Sequence, residues 1–225
     1  MKTNEGPRLT PQVKICGLTR VDEAAAAAEL GAAAIGLVFY PPSPRHVTVE
    51  QAAGICAGLP EHVCPVGVFV DVAFDEIMQT VYRCTLRGVQ LHGKEPPELG
   101  ERLLREGLVV IRGLYVNKNP SIEQAEQYPA SAYLIEFAGG PLPGGNALAW
   151  DWSAAVGVGR QKPLVLAGGL NPENVAQAIQ AALPDAVDVS SGVESAPGRK
   201  DIAKVRQFLA AVRDTSLPEG RKQVF

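Results

Sequence analysis

Five side chains, Lys14, Cys16, Arg45, Glu136 and Asp188, and two glycine-containing loops have the residue types and spacing to do chemistry. In "VKICGLTR", Lys14 and Cys16 take alternate positions of a short apolar run, so an ammonium and a thiol share one face of a strand. Cys16, at the end of that run, is a base or nucleophile if a neighbouring charge favours its thiolate; the competing reading is a small core residue. Lys14 lies one layer deeper, where an ammonium needs a partner, and Asp188 in "AVDVSSG" has matching inward parity. An internal ion pair that fixes strand register is therefore expected in preference to Schiff-base chemistry.

Glu136 closes the apolar run "AYLIE" and reads as either a solvated loop charge or a general acid. Arg45 in "SPRH" offers a planar fork that suits a carboxylate, although a loop arginine is often simply solvated. Gly168 and Gly169 in "LAGGLNPENV", with Ser191 and Gly192 in "DVSSGVE", could present backbone N–H groups to a phosphate; tight-turn glycine is the alternative.

These residues need a scaffold, and the apolar pattern supplies one. Short β-rich runs at 13–16, 34–39, 65–70, 88–92, 108–114, 132–136, 163–167 and 186–190 alternate with alanine- and leucine-rich helical stretches, so a helix is expected after each run. Eight βα units in a chain of this length predict an α/β fold, a parallel (βα)8 barrel forming one domain over 1–225, with 1–10 and 214–225 as frayed ends. Thr19, three residues before Asp22, and Asn171 before Pro172 read as helix-start signals. A barrel gathers the loops that follow the strands on one rim, so "YPPSPRH", "AGGPLPGGNALAWDW" and "SSGVESAPGRKD" are expected around the chemistry.

With 46% hydrophobic residues, 20% charged residues and a net charge of -3, the composition predicts a large core and gives no basic excess for nucleic acid. No apolar run approaches a membrane span and the opening "MKTNEGPRLTPQ" is no signal peptide, so no membrane partner and a cytoplasmic location are expected. Cys16, Cys56, Cys64 and Cys84 form no C-x-x-C pair and only three histidines are present; reduced thiols and no zinc site follow.

Taken in order, "VKICGLTR", "GLVFYPPSPRHV", "VGVFV", "VQLHGKEPPE", "GGNALAWDW", "LAGGLNPENV" and "VDVSSGVESAPGRKD" resemble the phosphoribosylanthranilate isomerase family from about Val13 to Phe208. The resemblance implies a (βα)8 barrel of tryptophan biosynthesis that catalyses an Amadori rearrangement of a phosphosugar without metal or cofactor. It implies a thiolate base at Cys16, a carboxylic acid that protonates the furanose oxygen, an arginine facing the anthranilate carboxylate at Arg45, and phosphate loops at Gly168–Gly169 and Ser191–Gly192. A monomer or homodimer is expected.

The chain departs from the family pattern at the acid, where aspartate is usual and Glu136 stands here, and in the following loop, where Asn146 and Ala147 interrupt a GGTG-type run. One methylene shifts a carboxylate by about an ångström, enough to cost on the order of a hundredfold in rate unless the loop compensates. Asp71 stands where asparagine is usual. Three readings follow: the isomerase with glutamate as acid, a related barrel isomerase acting on another phosphosugar, or a phosphate-binding barrel that has lost catalysis.

Overall fold

The computed structural model describes residues 10–139, 150–158, 161–215, 217 and 222–225. Eight parallel strands close into a barrel in sequence order. They are β1 (Gln12–Cys16), β2 (Ala34–Val38), β3 (Cys64–Phe69), β4 (Gly88–Leu91), β5 (Val109–Tyr115), β6 (Ala132–Glu136), β7 (Leu164–Leu166) and β8 (Ala186–Val189). Among the described residues, six α-helices cover the barrel: α1 (Val21–Glu29), α2 (Val49–Ala57), α3 (Phe74–Cys84), α4 (Pro97–Arg105), α5 (Val175–Ala182) and α6 (Ile202–Arg213).

The two faces of the strands bury different things. Outward residues such as Val13, Ile15, Ile35, Leu37, Val187 and Val189 pack under the helices in the larger core. Inward residues Ala34, Cys64, Val66, Ile111, Ala132, Leu134 and Val165 fill the barrel itself, where the radius admits small and branched side chains. Helix α1 reaches the sheet closely because the residues it buries include Ala24, Ala27 and Ala28. Helix α3 buries Ile77, Met78, Val81 and Cys84, a stripe at helical spacing.

Local expectations needed four corrections. The segments after β5 and β6 are 3-10 turns, Ile122–Gln127 and Trp152–Ala155, instead of α-helices. Pro120 and Pro129 bracket the first, and Gly157 with φ 78° ends the second, so neither stretch can extend. Thr19 does not cap α1: Arg20 holds that position without a side-chain bond, and the Thr19 hydroxyl donates to Gly198 O at 2.8 Å. Asn171 does start a turn, but one that precedes α5, where its Oδ1 accepts from the N–H of Glu173 and Asn174.

The fourth correction concerns the C-terminal end, where residues 222–225 are docked instead of frayed. Gln12 Oε1 accepts from the N–H of Val224 and Phe225 at 2.7 and 3.1 Å, and Asp185 Oδ1 accepts from Lys222 N–H at 2.7 Å. Val224 thereby joins the cluster inside the barrel, closing the mouth opposite the strand ends that carry the candidate site. One apolar side chain offsets the ordering of a short strand of chain there.

Candidate active site

Lys14 and Cys16 face the barrel interior from β1, as their alternation requires. Lys14 is fully buried and its Nζ donates to Asp188 Oδ1 at 2.9 Å, across strands β1 and β8 whose register sets the two residues directly opposite. Gly36 on β2 makes the close approach possible: a Cβ there would fall 2.7 Å from Cys16 Sγ and 3.0 Å from Lys14 Nζ. Burial works against the charge on Lys14, but the Asp188 carboxylate and the Cys16 sulfur outweigh it and hold the ammonium up to about 12. Burial pushes the Cys16 thiol up, and Lys14 is the first group to oppose that. An ammonium held beside Sγ is the electrostatic support a thiolate needs.

Glu136 ends β6 and is 4% exposed, which removes the reading as a solvated loop charge. Its Oε1 stands 3.2 Å from His92 Nε2. That approach lies outside hydrogen-bond alignment, and Oε1 has no hydrogen-bond partner among the described residues. On the other side of the ring, Gln90 Nε2 lies 3.2 Å from Nδ1, and the backbone O of His92 accepts from the Tyr115 hydroxyl at 3.0 Å. Gly113 leaves room for the imidazole, since a Cβ there would sit 2.7 Å from Nδ1. Burial, then Glu136, push the Tyr115 phenol far up. A cavity of about 180 Å³ opens above this cluster between Tyr40, Asp71, His92, Lys94, Tyr115 and Lys118.

Sequence reasoning missed His92, although a signal was present. Gly88, Gln90 and His92 follow the two-residue repeat along β4 and its extension, the same inward parity that singles out Lys14 and Cys16. It also missed the buried pair behind the site. Arg112 Nη1 donates to Glu95 Oε2 at 2.5 Å, and Glu95 accepts from the N–H groups of Gly93 and Asp71. Asp71 finds its place in that frame: its backbone is left-handed at φ 55°, a conformation asparagine and aspartate tolerate, and its Oδ1 accepts from Lys94 N–H at 2.6 Å.

Arg45 is brought to the same mouth, but its fork is already engaged. Its Nε and Nη2 donate to Glu194 Oε1 and Oε2 at 2.8 and 2.7 Å, and only Nη1 has no acceptor among the described residues. Lys200 Nζ donates to the same Glu194 Oε1 at 2.9 Å and to Ser190 O at 3.0 Å. Burial would raise the Glu194 carboxyl, yet the Arg45 bonds and the Lys200 charge hold it below the usual carboxylate range. Gly17 must be glycine at φ 74°, because a Cβ would stand 2.5 Å from Arg45 Cδ. Neither Glu194 nor Lys200 stood out in the sequence.

The two glycine-bearing loops meet backbone to backbone. A Cβ on Gly192 would fall 1.9 Å from Leu170 O, so the loop after β8 lies against the loop after β7. Gly168 and Gly169 are consecutively left-handed at φ 86° and 70°, and Asn174 Nδ2 donates to Gly169 O at 2.9 Å to fix the turn. Trp150 Nε1 donates to Ala167 O at 3.0 Å, packing the indole beside Gly168. The N–H groups of Gly168, Gly169, Ser191 and Gly192 donate to no group among the described residues. Free N–H groups on two adjoining loops of this kind suit an anion. The loop expected to compensate for Glu136, 139–150, lies outside the described residues except at Gly139 and Trp150, and Asn146 and Ala147 fall in the undescribed part.

Among the described residues, no group of His, Cys, Asp and Glu could hold a metal ion. No helix among them is long and apolar enough to cross a membrane.

Comparison with known proteins gives a consistent result. The family described as N-(5'phosphoribosyl)anthranilate (PRA) isomerase matches residues 13–211. The chain is 50% identical over 214 residues to the N-(5'-phosphoribosyl)anthranilate isomerase of Desulfatibacillum aliphaticivorans, covering 95% of this chain and 98% of that one. Against the protein of the same name from Geobacter sulfurreducens, identity is 46% over 198 residues, with 88% and 96% covered. The crystal structure of phosphoribosyl anthranilate isomerase from Thermotoga maritima superposes with a TM-score of 0.81 at 39% identity, covering 90% of this chain and 98% of that one. A structure of such an isomerase in complex with reduced 1-(o-carboxyphenylamino)-1-deoxyribulose 5-phosphate gives 0.78 at 38% identity, with the same coverage.

Proposed function

Because the chain belongs to the N-(5'-phosphoribosyl)anthranilate isomerase family, we propose that Cys16 and Glu136 are the base and the acid of its isomerisation. The reaction, a step of tryptophan biosynthesis, converts an aminoaldose phosphate to an aminoketose phosphate, and family membership supports the isomerase over a barrel acting on another phosphosugar, with glutamate as the acid being the part proposed here.

The phosphate sits on the free N–H groups of Gly168, Gly169, Ser191 and Gly192, which orients the ribose over the mouth of the barrel. Glu136, whose Cβ lies 3.3 Å from where a Cβ on Gly168 would stand, is thereby next to the phosphate loops. Its carboxylic acid gives a proton to the furanose ring oxygen; the C1'–O bond breaks and the nitrogen lone pair forms an iminium. Cys16 thiolate then removes the C2' proton, the electron pair moves to C1'–C2', and the iminium becomes an enolamine. Tautomerisation of the enolamine to the ketone completes the rearrangement without change of oxidation level overall. Lys14 supports the thiolate against burial, and the unpaired Nη1 of Arg45 meets the anthranilate carboxylate.

The observation that carries these assignments is that Cys16 and Glu136 end β1 and β6 at the same mouth as both phosphate loops. The test is to generate phosphoribosylanthranilate in situ and follow the loss of its fluorescence on adding the protein. Turnover that vanishes in Cys16→Ser and Glu136→Gln supports the roles; near-parental turnover in either removes that residue from the mechanism.

A further inference from the structure

We propose that Glu194 and Lys200 are positioning residues that fix the distance between the phosphate loop after β8 and the Arg45 guanidinium, and so measure the substrate from one anionic end to the other. The proposal rests on the function argued above, in which those two groups bind the phosphate and the aryl carboxylate.

The chain of contacts is continuous. Glu194 takes both Nε and Nη2 of Arg45, which fixes the plane of the guanidinium as well as its position. Lys200 Nζ bridges that carboxylate to Ser190, through O at 3.0 Å and Oγ at 3.4 Å. Ser190 immediately precedes Ser191 and Gly192, whose N–H groups face the phosphate. Arg45, Glu194 and Lys200 are all buried, between 5% and 8% exposed, so water does not loosen the links.

Charge and valence say which end is presented to the ligand. Two cations share one carboxylate, which leaves one positive charge in excess at a buried site. Lys200 Nζ has three acceptors within reach, whereas Arg45 Nη1 has none among the described residues. The excess charge is therefore offered through Nη1, in a direction set by Glu194. Gly17, adjoining Cys16, sits against both parts: a Cβ there would meet Arg45 Cδ at 2.5 Å and Ser190 Oγ at 3.1 Å. The residue that follows the base is thus packed against the same clamp that spaces the two anion sites.

Two probes separate a clamp from a merely structural ion cluster: inorganic phosphate reports one end, and the reduced product analogue spans both. In Glu194→Gln the guanidinium loses a charge-assisted pair, so the analogue should bind about tenfold more weakly or worse, with phosphate affinity within about twofold of the parent. KM should rise in step while kcat stays within about threefold. In Lys200→Met both probes should weaken, the analogue more than phosphate. Unchanged analogue affinity in a folded Glu194→Gln protein overturns the proposal, and so does an equal loss of both probes in that variant. If Glu194→Gln does not fold, Glu194→Asp, which keeps the charge but shortens the reach, carries the same comparison. A parent that binds both probes without turning over would sink the assigned function and leave the clamp to be decided by binding alone.

Discussion

His92 Nε2 stands 3.2 Å from Glu136 Oε1 inside the mouth of the barrel, with both side chains 6% exposed. The histidine limits where the carboxylate can swing, which matters because glutamate carries one more rotatable bond than aspartate. Glu136→Gln keeps the shape and has no acidic proton, so turnover should be lost while the reduced product analogue binds nearly as well as to the parent. Steady-state kinetics with analogue titration checks it; a kcat within a few-fold of the parent would assign the proton to another group.

Cys16→Ser should fold, because the hydroxyl fits where Gly36 leaves room, and should lose nearly all isomerase activity. A serine hydroxyl ionises far less readily than a thiol, even one whose thiolate is disfavoured by burial and supported by Lys14. Circular dichroism confirms the fold, and the fluorescence assay reads the loss.

The Lys14–Asp188 pair predicts a defined alkaline instability. The folded pKa of Lys14 lies above its unfolded value of 10.5, at about 12. A raised folded pKa means that the stabilisation is complete below pH 10.5 and is lost as pH rises through about 12, on the order of 2 kcal/mol in all. Lys14→Met leaves Asp188 buried without its partner and should cost roughly 3–5 kcal/mol at neutral pH. Denaturant unfolding of both proteins across pH decides; equal melting temperatures would show that the pair contributes nothing.

Removing Val224 from the barrel should weaken the fold without touching catalysis, since it plugs the opposite mouth. Deleting 222–225, or Val224→Asp, is expected to lower stability by about 1.5–3 kcal/mol, the worth of one buried aliphatic side chain. Thermal unfolding measures this, and kcat and KM at 25 °C should match the parent. An unchanged Tm would mean that the docked tail is energetically idle.

Gly192→Ala would drive a methyl group into Leu170 O, a backbone atom that cannot turn aside, and so force the two loops apart. Losing aligned N–H donors to a phosphate should weaken inorganic phosphate binding about tenfold or more. Calorimetric titration with phosphate is the direct measurement.

Eight βα units pointed to the barrel, whose closure sets Lys14 beside Asp188, while the strands and the inward facing of those two residues were determined by the sequence itself because alternation is a local property that neighbouring residues carry between them. Glycines at the two loop positions were legible for the same reason. What only the tertiary structure decided are relations between distant parts of the chain. Arg45 and Glu194 are 149 residues apart, and Gln12 meets Phe225 across 213; no period or spacing records either contact. The fork of Arg45, read as open to a carboxylate, has Nε and Nη2 taken by Glu194 because the loop after β8 folds over it, and presents Nη1 instead. His92 gains its role only when closure of the barrel brings β4 and β6 to face one interior. Which polar groups meet there depends on strand register around the whole ring, a quantity fixed by packing of the complete barrel.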